Sequence, residues 1–387
     1  MLTQIINGKI LTPKGWLNNG SVLISDGRIL EVTNSDLAVI GATVIDAKGM
    51  NIIPGFVAMN VLGGGGSDFN ECTKEAFETA VSAHLQHGAT SIVPTVSVES
   101  LEKVYQADAI CQEMINDKTA VQGLHLVGPY LNPKMAGSLY ADIVKDIDKD
   151  EYTALLKDLK SLKRWDISPE LPGAMEFAKA VKDKGLMLAV TYTEAEYDLI
   201  KEAYEAGFTH ASHFYNAMPG FHKRREYKYE GTVESVYLTD DMTVEVIADG
   251  LHLPSTILRL VYKLKGVERT CLVTAALAYA ACKNPQIDSR YIIEDGVCKL
   301  ADHSSLAGSL ATMDDLIRTM VKKADIPLAD AIRMASETPA RLLGIDDRKG
   351  SLAHGKDADI VIMDSKLRVR GVWALGVEVP GTNTLIN

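Results

Sequence analysis

Two histidines three residues apart, His210 and His213, open the stretch HASHFYNAMPGFHKRREYKYEG, and Asn216 and His222 follow closely. Lys223, Arg224, Arg225 and Lys228 then form the densest basic cluster of the chain. Imidazoles ligate metals or move protons near neutral pH, and arginine forks match phosphate geometry. A charge run more often marks a solvated loop; here the two readings weigh about the same, because the cluster follows a strand-like segment. Asp249, Gly250 and His252 stand together in IADGLHLP, where a single histidine is as often structural as functional. Gly63–Gly66 permit close backbone approach to a ligand. His125 lies inside GLHLVGPYL, in which Gly128-Pro129 marks a turn. By contrast, Leu272–Ala281 reads LVTAALAYAA, a strand end without a group to attack, ligate or carry a proton.

The elements that must position these residues alternate. TKEAFETAVSAHLQHG reads as a helix with Thr73 at its N-cap and Gly88 at its stop. TSIVPTVS, AVQGLHLVGPYL, KRWDISPEL, LMLAVTYT, THASHFYNAM, MTVEVIADGLHL and TCLVTAALA read as strands, several followed by helical stretches. With IIPGFVAMN as the first, the strands number about eight, the count of a closed parallel barrel; the alternative is an open doubly wound sheet. The expected fold is α/β, a (β/α)8 barrel over residues 54–345. Both chain ends are short strands with turn pairs at Asn7-Gly8, Asp26-Gly27 and Lys48-Gly49. Residues 1–53 and 346–387 are therefore expected to build one small β-sandwich domain around which the barrel is inserted. Ligand sites of such barrels lie at the C-terminal strand ends, where His213, His252 and the alanines of LVTAALA fall.

Net charge is −11 over 387 residues, which argues against nucleic acid or an anionic membrane as partner. Five cysteines, an odd number without C-x-x-C spacing, read as reduced thiols. The N-terminus has no signal pattern and no apolar run reaches the ~20 residues of a membrane span, so the cytoplasm is the expected compartment.

The segments HLVGPYLNPKMAG, SHFYNAMPGFHKRRE, IADGLHL, CLVTAALA and LAGSLATM, in this order, resemble the N-acetylglucosamine-6-phosphate deacetylases of the amidohydrolase superfamily. The resemblance spans nearly the whole chain, from IIPGF to LGIDDRKGSLAHGKDADIVIMD. It implies a metal-dependent barrel with a small β-sandwich, a homodimer, and hydrolysis of a sugar-phosphate acetamide to acetate. Such chemistry uses a divalent ion, Zn²⁺ or another such as Fe²⁺, to activate water, and a carboxylate to pass its proton to the leaving nitrogen.

The resemblance places the family's metal-ligating glutamate at Val127, a metal histidine at Tyr192 and the catalytic aspartate at Ala275; His213 alone of the ligands persists. In the first strand, Asn60 and Leu62 stand where many amidohydrolases carry histidines. The implied substrate contacts are better kept: Asn216 and the Ala217 backbone on phosphate, Arg225 or Arg224 pairing with it (in some relatives across the dimer interface), His252 on the sugar or carbonyl, Leu306, Ala307 and Gly308 lining the pocket, and Ser138 on a loop facing it. One imidazole does not make a specific zinc site, and Val127 and Ala275 neither ligate nor transfer protons. The reading that follows is a deacetylase-like protein without cofactor or base, inactive yet able to bind a sugar phosphate. Two other readings stay open: an active deacetylase with an atypical metal site that enlists His125, and a non-catalytic scaffold that binds a partner.

Overall fold

The computed structural model describes residues 2–34, 39–136, 140 and 142–385. Parallel strands Phe56–Val61, Ala89–Ser97, Leu124–Val127, Leu162–Ile167, Met187–Val190, His210–Ala211, Thr243–Ile247 and Thr270–Val273 pair in chain order. These are barrel strands one to eight below. The circle closes between the first and last at their C-terminal ends. There the Asn60 carbonyl accepts from Ala275 N–H at 3.1 Å, and the Ala276 carbonyl from Leu62 and Gly63 N–H at 2.9 Å. Barrel strands one and two are buried along their whole length, as strands covered on both faces must be. Helices start where the sequence offers caps: Thr73 Oγ1 accepts from Ala76 N–H at 3.2 Å and Ser100 Oγ from Lys103 N–H at 3.3 Å.

The two chain ends share one mostly antiparallel sheet. Asn51–Pro54, just before the barrel, pairs with Ile360–Met363, just after it. Ile10, Ile24, Ile52, Ile360 and Trp373 fill a core of their own under that sheet. Asp26-Gly27 makes the expected hairpin turn, with φ of 50° and 79°. Asn7-Gly8 does not. It lies within strand Leu2–Thr12 as a bulge, Asn7 at φ 55°. Before the bulge the strand pairs in parallel with Thr43–Asp46, after it with Asn51 and Ile52. The glycine serves packing, since a Cβ there would lie 2.2 Å from Ile52 Cδ1.

The glycine run also has a different use from the one expected. Its backbone approaches the protein's own chain: Gly63, Gly65 and Gly66 donate N–H to the carbonyls of Ala276, Ala280 and Ala278. A Cβ at Gly63 would sit 2.4 Å from the Ser67 oxygen, and one at Gly64 2.8 Å from His84 Nε2. The small residues of LVTAALAYAA thus form the surface on which this glycine hairpin lies.

His84 Nε2 meets the Gly63 carbonyl at 2.9 Å, and burial drives its imidazole down to about 4. The folded ring stays neutral while the unfolded chain takes up a proton near 6.5. Stability from this site is therefore complete above pH ~6.5 and falls as pH drops toward ~4, by up to about 3 kcal/mol. Burial depresses His125 and His210 in the same direction. The urea midpoint should fall between pH 7.5 and pH 5, and fall less in His84→Gln; circular dichroism at both pH values checks this, and an unchanged slope would remove His84 from the account.

Among the described residues no helix is long and apolar enough to cross a membrane. After barrel strand eight the chain makes a three-stranded antiparallel sheet, Tyr291–Glu294, Val297–Leu300 and Leu306–Gly308. Leu306–Gly308 reach back over the barrel mouth, where an isolated bridge pairs Ala276 with Ser309.

Candidate functional site

A cavity of about 400 Å³ opens at the C-terminal strand ends, within the range of small-molecule sites. Val127, Tyr192, His213 and Ala275 form its floor and walls, the four positions where the resemblance puts metal ligands and base. Asn216, Ala217 and His252 also line it, and Leu306, Ala307 and Gly308 cover it. Ser138 lies outside the described residues. Arg225 does not line the cavity; it sits exposed at φ 54°, in the turn between strands His222–Arg224 and Tyr227–Tyr229. Arg224 is held by Glu196 and lies 3.9 Å from the ring centre of Tyr229, so it is not turned to the cavity either. Among the described residues no lysine, arginine, aspartate or glutamate lines the pocket.

The floor is built from strained backbone. Tyr192, His213 and Ala275 stand at φ 45°, 33° and 44°, a left-handed region that costs a non-glycine residue of order 1–3 kcal/mol and clusters at functional sites. The strand ends therefore keep the geometry that aims side chains into the barrel mouth, but the side chains are apolar or bulky. Tyr192 packs edge-on against Tyr140 and His213, ring centres 5.2 and 4.8 Å apart. Val127, Leu131, Ala136 and Tyr140 extend this into an apolar cluster. Burial raises the Tyr192 phenol well above its usual range, with Tyr140 adding to the shift. It is a neutral phenol at physiological pH.

His213 is equally committed. The Asn216 carbonyl, 2.8 Å from Nδ1, can only accept, so Nδ1 carries the proton. The Nε2 lone pair then receives the Thr191 hydroxyl at 2.7 Å. Burial lowers its pKa, and both nitrogens are satisfied within the protein. Among the described residues no group of three or more histidine, cysteine, aspartate or glutamate side chains is placed to hold a metal ion. A catalytic zinc takes three protein ligands. This donor set, with valine and alanine at two of the positions and a hydroxyl already on the imidazole, does not fit one.

His252 is the polar group best prepared to meet a ligand. Asp249 Oδ2 takes its Nδ1–H at 2.7 Å, and Asp249 Oδ1 takes the Leu251 and His252 backbone N–H groups, each at 2.9 Å. Burial opposes ionisation of Asp249, yet these partners hold its carboxyl below the ordinary range. The pair fixes the tautomer and leaves the Nε2 lone pair of His252 to accept from a ligand hydroxyl or amide N–H.

Beneath the floor lies a feature that the sequence analysis passed over. Arg164, on barrel strand four, is fully buried. Its Nε and Nη2 donate to the two oxygens of Asp166 at 2.7 and 2.6 Å. Nη2 also reaches Glu245 Oε1 and Ser212 Oγ, each at 2.9 Å, while Nη1 pairs with Glu245 Oε2. Glu245 Oε1 further accepts from Asn60 Nδ2 at 2.7 Å, Ser212 Oγ at 3.0 Å and His213 N–H at 3.1 Å. His125 Nε2 lies 3.1 Å from Asp166 and His210 Nε2 3.4 Å from Glu245. Burial penalises both carboxylates, but the guanidinium and its neighbours hold them well below their usual range. His125 and His210 therefore serve this network. The signal was present in charged residues at alternate positions of apolar strands, KRWDI and VEVI, whose inward faces leave them no water.

The amidohydrolase family pattern matches residues 51–379. The N-acetylglucosamine-6-phosphate deacetylase of Haemophilus influenzae is 32% identical over 389 residues, covering 97% of this chain and 99% of that protein. The crystal structure of the Pasteurella multocida deacetylase of the same name superposes with a TM-score of 0.91 at 27% identity, covering 98% and 99% of the two chains. An aspartate-to-alanine mutant of the Mycobacterium smegmatis deacetylase, in complex with N-acetyl-D-glucosamine-6-phosphate, superposes with a TM-score of 0.89 at 29% identity over 98% and 99%. By pattern, by sequence along nearly its full length and by fold, the chain belongs to the N-acetylglucosamine-6-phosphate deacetylase branch of the amidohydrolase family.

Proposed function

We propose that this protein binds an N-acetylated amino-sugar phosphate and does not hydrolyse it. The observation that carries this reading is the state of the cavity floor. Val127, Tyr192 and Ala275 line it, and His213 already spends both ring nitrogens on Asn216 and Thr191. An amide resists water at neutral pH unless the water is activated and the leaving nitrogen protonated. Among the described residues no carboxylate borders the cavity to exchange that proton, and the donor set does not fit the ion that would activate the water.

Binding rests on different groups. Asn216 and the Ala217 backbone offer donors, His252 an oriented acceptor, and Leu306–Gly308 an apolar cover. The relative solved with the sugar phosphate bound is itself an aspartate-to-alanine mutant, which supports the view that losing a carboxylate need not abolish binding. Because Arg225 does not line this cavity, the reading has it meet a phosphate in the pocket of a second copy, and so includes a homodimer.

A ligand that binds the folded state alone raises the melting temperature. The expected result is a dose-dependent rise with N-acetylglucosamine 6-phosphate, a smaller one with unphosphorylated N-acetylglucosamine, and no acetate released. Arg225→Ala should narrow the difference between the two sugars. Light scattering should give twice the chain mass. No shift with either sugar would favour the scaffold reading; acetate release with added Zn²⁺ would favour the atypical enzyme.

A further inference from the structure

Helix Lys74–Leu85 ends in Gln86 and His87 beside helix Met313–Lys322, and both face the turn between strands Ile360–Met363 and Val369–Ala374. These three elements enclose a concavity of about 520 Å³ lined by His87, Asp314, Arg318, Lys322, Lys366 and Arg368 with Gln86 and Val369. It shares no lining residue with the cavity at the barrel mouth. We propose that this concavity is a binding site for a compact polyanion, a small molecule carrying two or more phosphate groups.

The inner part is rigid. Arg318 Nη1 is held by Asp314 Oδ2 at 2.6 Å and by the Leu367 carbonyl at 2.8 Å, and Nη2 pairs with Asp315. His87 Nδ1 lies 3.0 Å from Asp314 Oδ1, and its other ring nitrogen has no partner among the described residues. The two aspartates are thus spent on Arg318 and His87. The outer part is a surplus of charge. Lys322, Lys366 and Arg368 have no carboxylate partner among the described residues, and Lys322 Nζ is drawn to the Lys366 carbonyl at 3.1 Å, toward the other two. Asp364, on the same turn, is used: it accepts the backbone N–H groups of Lys366 and Arg368 at 2.8 and 2.9 Å and pairs with Arg370 at 2.8 Å.

Three unpaired cations from two elements, gathered in one hollow of a chain with net charge −11, repel one another unless an anion sits among them. A single phosphate group brings a charge of about −2, too little for three cations, whereas linked phosphates match them. The uncharged lining is one glutamine and one valine. Among the described residues no phenylalanine, tyrosine or tryptophan lines the hollow to stack on a base, so the ligand is compact and highly charged rather than a nucleotide. Because the site joins two barrel helices to a turn of the terminal sheet, its occupant would also tie the barrel to the sheet.

The test is calorimetric titration of the full chain with sodium tripolyphosphate at constant ionic strength, with sulfate as the comparison that carries a single anionic group. Saturable binding is expected, about tenfold or more tighter for tripolyphosphate than for sulfate. Lys366→Ala and Arg368→Ala, both at exposed positions, should each weaken it by roughly tenfold, as losing a charged hydrogen-bond partner does, and Lys366→Glu should weaken it further. Their circular dichroism should match the unaltered protein. Absence of binding at millimolar tripolyphosphate, equal affinity for sulfate, or full affinity in the Lys366 and Arg368 variants would each overturn the proposal.

Discussion

Arg164→Met is expected to destabilise the fold by about 3–5 kcal/mol, the cost of removing one partner from a buried ion pair. Asp166 and Glu245 are both fully buried, and without the guanidinium nothing of opposite charge replaces it unless His125 and His210 take up protons. They face those two carboxylates at 3.1 and 3.4 Å. The variant should therefore recover stability as pH falls from 8 to 6, opposite in sign to the unaltered protein, in which burial holds both imidazoles neutral. A triple variant, Arg164→Met with Asp166→Asn and Glu245→Gln, removes the charges together and should regain a good part of the loss. Urea unfolding of both variants at the two pH values checks this. An Arg164→Met protein as stable as the original would mean that water or a flexible backbone already screens the cluster.

The second large effect concerns gain of chemistry. Val127→Glu, Tyr192→His and Ala275→Asp together are expected to bring metal content from near zero to about one ion per chain and to start acetate release from N-acetylglucosamine 6-phosphate. The backbone at 192, 213 and 275 already adopts a left-handed geometry, and all three residues line one cavity. Removing Tyr192 also frees the volume its ring takes beside His213. One rearrangement remains: His213 Nε2 must exchange the Thr191 hydroxyl for the ion. Thr191→Val in the triple background should therefore tighten the metal further. Each single reversion should stay inactive, because catalytic groups of this kind act as a unit. Elemental analysis and an acetate assay read the outcome. A triple variant that remains metal-free would show that these positions do not converge as the fold implies.

Much of this was legible in the sequence because barrels are written in long, regular patterns. Apolar runs such as TSIVPTVS alternating with capped helices leave few alternatives to parallel strands, and the strand-end segments carry the cavity residues in order. Local pairs were less reliable. Asn7-Gly8 has the composition of a hairpin turn, yet tertiary pairing makes it a bulge where one strand changes partners. Gly63–Gly66 read as a ligand loop because spacing does not reveal which backbone comes near; the near one is 276–280. Arg225 has the right chemistry for phosphate but sits in a hairpin turn and does not line its own cavity. The Arg164 network was visible only in part: residues 164 and 166 share one face of a strand, but Glu245 meets them through the barrel's curvature and not through sequence proximity.

The claim at the centre is that the barrel mouth still receives the sugar phosphate but no longer cleaves its amide. Proton NMR of N-acetylglucosamine 6-phosphate with an equimolar amount of this protein and Zn²⁺, followed over a day, reads both halves at once. The account predicts a broadened or shifted N-acetyl methyl signal of constant area and no free acetate. A growing acetate signal that needs the ion and disappears in His213→Ala would contradict it.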